Sequence, residues 1–128
     1  MSTILTTTIK ANTLLHSDGS TTNPPAIPAL DKRMAHSFIT FKGTDTVAIE
    51  QSYNVTSLVD VGTGIYRVNF SVNPSTTLYT GLVSSDQNIA TTPWYEYNAH
   101  FIGSYEIRTH TGSSYVDTRR VFSVIFST

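Results

Sequence analysis

The stretch from Ser52 to Val72, SYNVTSLVDVGTGIYRVNFSV, constrains the fold most strongly because two β-prone runs flank a glycine-containing turn. In the second run every other residue is apolar: Tyr66, Val68, Phe70 and Val72. A period of two places these four side chains on one face of a strand. In the first run Tyr53, Val55 and Val59 share a parity. Gly62 and Gly64 suit a tight turn within Asp60–Gly64. The stretch therefore predicts a β-hairpin with one apolar face.

The remaining sequence is typical of further short strands separated by turn signals. The predicted strands are Ala35–Lys42, Asp45–Gln51, Thr76–Ser84, Ser104–His110 and Tyr115–Phe126. Val47 and Ile49 are expected to point inward. Val121–Phe126 is apolar at nearly every position, which indicates burial on both faces or coverage by a partner chain. This spacing predicts an all-β fold, an antiparallel β-sandwich that is jelly-roll-like or a small barrel.

Composition narrows the classes of function. Charged residues make up 13% of the 128-residue chain, about half the usual share. The net charge of −1 gives no electrostatic footprint for nucleic acid, and no apolar run is long enough for membrane insertion. Residues 1–10 do not resemble a signal peptide. The chain has no cysteine, which excludes disulfides and thiolate chemistry.

The first thirty residues are predicted to form an extended docking arm, with a β-sandwich domain over residues 31–128. Pro24, Pro25 and Pro28 oppose both helix and strand pairing. The arm is expected to dock on a neighbouring subunit or on another protein of a larger particle through its apolar residues, which are Ile4, Leu5, Ile9, Leu14 and Leu15.

No catalytic constellation is evident, so the protein is expected to be neither an enzyme nor a cofactor-binding protein. The four histidines lack metal-ligand spacing, although a metal shared on a trimer axis stays open, and no pair of carboxylates suggests glycoside cleavage. The best candidate for a glycan-binding surface is an aromatic window whose members are Trp94, Tyr95, Tyr97, Asn98 and His100. Aromatic rings stack on sugar faces. The alternative is that Trp94 and one face of this segment belong to the core.

Three segments together resemble a β-module of tailed-bacteriophage structural proteins, especially those of marine phages. The segments are FKGTDTVAI (41–49), NVTS (54–57) and GTGIYRVNF (62–70). They follow the patterns F-x-G-T-x-T-V-x-I, N-V-S-S and G-T-G-x-Y-x-V-N-F in the same order, within residues 34–83. The C-terminal VFSVIF (121–126) is similar to the closing strand of that module. The resemblance implies a β-rich domain near the end of a tail fibre, usually homotrimeric and able to bind a host surface.

The leading hypothesis is therefore a phage virion structural protein, a tail-fibre or adhesin-type domain that assembles as a homotrimer and contacts host-surface polysaccharide. One alternative is a capsid decoration protein, a cement or knob that coats the head. A second alternative is a stand-alone carbohydrate-binding module, which would be a monomer with a dispensable arm.

Overall fold

The computed structural model describes residues 34–87, 90–92 and 100–127, and for residues 90–92 only the backbone. This part of the chain is all-β and contains no helix. Its strands are β1 (Ser37–Lys42), β2 (Ala48–Tyr53), β3 (Val55–Gly62), β4 (Ile65–Phe70), β5 (Thr80–Ser85), β6 (Ala90–Thr92), β7 (Ser104–Thr111), β8 (Ser114–Tyr115) and β9 (Val121–Phe126). The predicted arm, with Ile4, Leu5, Ile9, Leu14 and Leu15, and the predicted domain boundary lie outside the described residues.

The strands form two antiparallel sheets, which confirms the predicted β-sandwich. Sheet A has the order β2-β1-β9-β5, and sheet B has the order β3-β4-β7-β6, with the short β8 also paired to β7. Strands β1 and β9 are central in sheet A, and β4 and β7 are central in sheet B. Among the described residues each sheet keeps two edge strands, so the sandwich describes the architecture better than a closed barrel does.

The core lies between the two sheets and is built from alternate residues of the central strands. Its fully or nearly buried members are Ile39, Phe41, Tyr66, Val68, Phe70, Tyr79, Tyr105, Ile107, Val121 and Ile125. Several aromatic rings meet edge to face, for example Phe41 and Tyr66, with ring centroids 4.9 Å apart. Such pairs add to the stabilisation that burial alone provides.

The chain passes from sheet A to sheet B through a single residue, Asn54, which lies between β2 and β3 and has a φ of 54°. Positive φ is unusual for residues other than glycine but is tolerated by asparagine. The Asn54 side chain holds the corner: its Nδ2 donates to the His36 and Val72 carbonyls at 3.0 Å, and its Oδ1 accepts from the Val72 amide at 2.7 Å. This corner ends the strand that the sequence suggested would continue from Tyr53 to Val59.

A β-bulge directly after the corner changes which residues of β3 face the core. The register skips Thr56 between the pairs Val55–Phe70 and Ser57–Asn69. The inward residues are therefore Val55 and Leu58, whereas Val59 is exposed. The prediction that Tyr53, Val55 and Val59 share the buried face was wrong, because a corner and a bulge each interrupt the two-residue period.

The expected burial of Val72 was wrong, because β4 ends at Phe70 and Val72 is exposed. Ile49 lies opposite the buried Phe41 and therefore on the inner face, as expected, but β2 is an outer strand of the described sheet and leaves Ile49 40% exposed. The other assignments in β4 were confirmed, since Tyr66, Val68 and Phe70 are all buried.

Candidate functional site

The outer face of sheet A carries an apolar row that crosses all four strands. The register places Tyr53 opposite Phe38, Phe38 opposite Val124 and Val124 opposite Leu82. We call these four residues the apolar row. It runs from one edge strand, β2, to the other, β5, and Leu82 is 63% exposed. Phe122 lies on the same face of β9, two residues before Val124, and is also exposed.

For β9, the nearly continuous apolar sequence of Val121–Phe126 indicated either burial on both faces or coverage of one face by a partner chain. Val121, Ser123 and Ile125 are buried against sheet B, whereas Phe122 is exposed and Val124 and Phe126 are only partly buried. In the part of the chain that the structure describes, β9 is therefore fully buried on one face and partly covered or exposed on the other. Contiguous exposed apolar surface of this kind is uncommon on proteins that work as monomers.

The charged residues at one end of sheet A are all paired with opposite charges. Three ion pairs lie there: Lys42–Asp45 at 3.0 Å, Arg120–Glu50 at 2.6 Å and Arg119–Asp86 at 2.8 Å. Arg119 and Arg120 thus form salt bridges with separate carboxylates and do not make a basic patch. The outer face of sheet A therefore combines an uncharged row with an end that has no net charge.

The outer face of sheet B has a different chemistry, because a buried carboxylate lies there between two guanidinium groups. Glu106 accepts a hydrogen bond from Arg67 Nη2 at 2.7 Å and one from Arg108 Nη2 at 3.2 Å. Burial alone would raise the pKa of Glu106, but the hydrogen bonds from Arg67 and Arg108 outweigh it and hold the pKa below its usual range. Glu106 is therefore ionised at neutral pH.

An aromatic ring lies against each guanidinium group of this cluster. The Cζ atom of Arg67 is 6.0 Å from the ring centroid of Phe101, and that of Arg108 is 5.7 Å from the centroid of Tyr115. Arg108 Nη1 also donates to the Tyr115 hydroxyl at 3.0 Å. We refer to these five residues as the arginine–aromatic cluster. It combines fixed charge with exposed ring surface, two features that suit recognition of polar ligands.

The residues that carry the phage-module resemblance pair with one another inside the fold. The Tyr66 hydroxyl donates towards the Gly43 carbonyl at 3.0 Å and towards Asp117 Oδ1 at 3.1 Å. Asn69 Nδ2 donates to the Ser57 hydroxyl at 2.9 Å. Burial and the neighbouring Asp117 raise the pKa of Tyr66 well above its usual value, so its hydroxyl stays a donor. These motif residues have structural roles, and none of them lies in the arginine–aromatic cluster.

Most of the predicted glycan-binding residues cannot be placed. Trp94, Tyr95, Tyr97 and Asn98 lie outside the described residues. His100 is described: it forms an isolated bridge with Tyr105, and its ring centroid is 6.0 Å from that of the buried Tyr79. His100 therefore packs against the edge of the core.

Sequence reasoning missed the arginine–aromatic cluster because its members come from two distant parts of the chain, Arg67 on β4 and the other four between Phe101 and Tyr115. Arg67 and Glu106 are 39 residues apart and become neighbours only through the pairing of β4 with β7. The alternation of Arg67 with buried residues indicated an outward side chain, but nothing in the sequence indicated its partners.

In the part of the chain that the structure describes, no group of three or more His, Cys, Asp or Glu side chains is arranged to hold a metal ion. Over the same residues there is no helix that meets the length and hydropathy needed to cross a membrane. Comparison with known proteins adds no identification, since no family model, curated protein or solved structure matches the chain. The class of protein is thus defined by the fold alone: an antiparallel β-sandwich with one apolar and one polar outer face.

Proposed function

We propose that this protein is a structural component of a bacteriophage virion, a tail-fibre or adhesin-type β-domain that assembles as a homotrimer and contacts the host surface. The observation that carries the assembly part of the proposal is the apolar row on sheet A. Burial of such a row stabilises an interface by roughly 25 cal/mol for each Å² of apolar surface removed from water.

The occupant that we propose for this face is a second copy of the same chain. The apolar row contains no charged residue, and the opposite charges of the three ion pairs at one end of sheet A sum to zero. Copies of this face can therefore come together without net electrostatic repulsion. In a closed ring of three copies, each contact joins two different parts of the face, and here the row reaches both outer strands of sheet A, β2 and β5. The virion assignment and the number of three subunits are supported by the resemblance of residues 34–83 to the phage module.

Substitution at Leu82 tests the assembly face. Leu82→Asp places a charge in the exposed apolar row, and Val61→Asp makes the same change on the edge strand β3 of sheet B, where Val61 is 48% exposed. Both side chains are exposed, so both variants should retain the circular dichroism spectrum of the wild type. Light scattering should give wild-type and Val61→Asp proteins three times the 14.1 kDa mass of one chain, and Leu82→Asp a much lower mass.

Equal masses for the two variants would refute the assignment of the interface to sheet A. A wild-type protein with the mass of one chain at every concentration would refute the assembly proposal and favour the stand-alone carbohydrate-binding alternative.

A further inference from the structure

We propose that the outer face of sheet B is a binding site for a saccharide that carries a carboxylate group, with Arg67 as the carboxylate-binding residue and Phe101 as the surface on which the sugar ring stacks. This inference rests on the host-contact part of the function proposed above and names the chemical class of the ligand. It uses none of the residues in the apolar row.

Arg67 is the accessible member of the arginine–aromatic cluster. Its side chain is 41% exposed, whereas that of Arg108 is 12% exposed and that of Glu106 is 10% exposed. Glu106 holds Arg67 by one nitrogen, Nη2, at 2.7 Å. A guanidinium group has five N–H donors in a planar fork, so one engaged nitrogen leaves a position from which Arg67 can bind a second carboxylate. Glu106 thereby acts as a positioning residue that limits the rotamers of Arg67.

The arrangement of the arginines favours a ligand with a single anionic group. Three register rows cross the described outer face here: Val59–Arg67–Glu106, Ser57–Asn69–Ser104 and Ile65–Arg108–Thr92. Of the two arginines in these rows, Arg67 has the accessible guanidinium group, and one such group suits one carboxylate. Nucleic acid recognition uses many basic residues, whereas the whole chain has a net charge of −1.

The neighbouring ring favours a sugar as the carrier of that carboxylate. Phe101 is 42% exposed and lies 6.0 Å from Arg67 Cζ, so a ligand bound at Arg67 can reach the ring. Aromatic rings pack against the C–H faces of sugars, while hydroxyl and amide groups bind sugar hydroxyls. In the adjacent row Asn69 donates to the Ser57 hydroxyl, and that hydroxyl, as the acceptor in this bond, keeps its own proton to donate to a sugar hydroxyl.

Calorimetric titration of the full-length protein with tetragalacturonate, and with its fully methyl-esterified form, tests the requirement for the carboxylate. The free acid should bind about tenfold more tightly than the ester, since a charge-assisted hydrogen bond is lost on esterification. Equal affinity for the two forms would overturn the proposal, and so would the absence of binding by the free acid at about 1 mM.

Three variants test the residues. Arg67→Gln should weaken binding of the free acid about tenfold. Phe101→Ala, which leaves the charges intact, should weaken it about threefold or more. The matched control is Arg119→Gln, because Arg119 is also an exposed arginine paired with a carboxylate, Asp86, at 2.8 Å. Arg119→Gln should change the affinity by less than about twofold.

Equal losses for Arg67→Gln and Arg119→Gln would indicate non-specific attraction and would overturn the site. The light-scattering mass of each variant distinguishes a failure of ligand binding from a failure of assembly. A variant that keeps the trimeric mass but does not bind the ligand has lost the binding site alone, and one that binds the ligand as a single chain has lost the assembly alone.

Discussion

At the scale of single residues, Tyr66 joins parts of the chain that are far apart in the sequence. Its hydroxyl contacts Gly43 in the loop after β1 and Asp117 before β9. Asp117 Oδ1 also accepts from the Gly64 amide at 2.7 Å. Gly64 has a φ of 65°, and a Cβ there would lie 2.5 Å from the Thr109 carbonyl oxygen. Gly43, Gly64 and Tyr66 of the phage-like segments thus share one region of close contacts.

Gly43→Ala is predicted to destabilise the protein. A Cβ at Gly43 would lie 2.6 Å from the Tyr66 hydroxyl and 2.8 Å from the Thr118 carbonyl oxygen, so the backbone and a buried ring must both move. We expect the free energy of unfolding, measured in urea, to fall by about 1–3 kcal/mol. Gly62→Ala is the control, because a Cβ at Gly62 meets nothing within 4 Å. Similar losses for the two variants would contradict the tight packing at Gly43.

Glu106 should make the stability depend on pH. Its pKa is lowered in the folded protein, so its contribution is present above its unfolded pKa, near 4.3, and is lost as the pH falls through the folded pKa. We expect the free energy of unfolding to decrease below about pH 5, and less steeply in Glu106→Gln. At pH 7 that variant should be less stable by about 1–3 kcal/mol, since the glutamine amide has no charge and keeps one acceptor oxygen for two guanidinium groups.

Glu50→Gln is the control for this pH dependence. The Arg120 hydrogen bond also lowers the pKa of Glu50, but the Glu50–Arg120 pair is exposed to solvent. Solvent screening makes such pairs contribute little, so the pH profile of Glu50→Gln should follow that of the wild type. If Glu106→Gln also follows the wild-type profile, the buried carboxylate does not have the stabilising role assigned to it.

At the scale of elements, the segment from β2 to β3 shows that a two-residue period, if assumed to continue without a break, predicts the wrong set of buried residues. The central hairpin was predicted from alternation, and the burial of Tyr66, Val68 and Phe70 on β4 was confirmed because the extra residues at both register shifts with β3 lie on β3 and not on β4. In β3 the corner at Asn54 and the bulge at Thr56 change the inward set to Val55 and Leu58. Neither irregularity has a distinctive pattern of hydrophobicity, so the period alone could not reveal them.

A pair of adjacent substitutions in β3 tests the bulge. Leu58→Ser removes a side chain that packs against the core, and we expect it to lower the free energy of unfolding by about 2 kcal/mol. Val59→Ser changes an exposed side chain and should cost less than about 0.5 kcal/mol. The regular alternation of the sequence predicts the reverse order, so urea denaturation of the two variants distinguishes the two registers.

At the scale of the whole molecule, the sequence predicted an all-β sandwich correctly because strand propensity and turn signals recur along the chain. It could not predict the two chemically different outer faces. The apolar row and the arginine–aromatic cluster both depend on cross-strand register between distant strands, such as β1 with β9 and β4 with β7. Most of the aromatic window predicted as a glycan surface lies outside the described residues, and the prediction for it stands as a prediction.

Our central proposal is that the two outer faces have different roles. The outer face of sheet A forms the interface between copies of the chain, and the outer face of sheet B stays exposed to solvent. Hydroxyl-radical labelling over a dilution series, with the mass followed in the same samples, tests it most directly. We predict that Leu82 and Phe122 are protected while the mass is three times 14.1 kDa and become labelled when dilution gives single chains. Val61 and Tyr115 on sheet B should be labelled equally throughout. Labelling of Leu82 that does not change with mass would contradict the account.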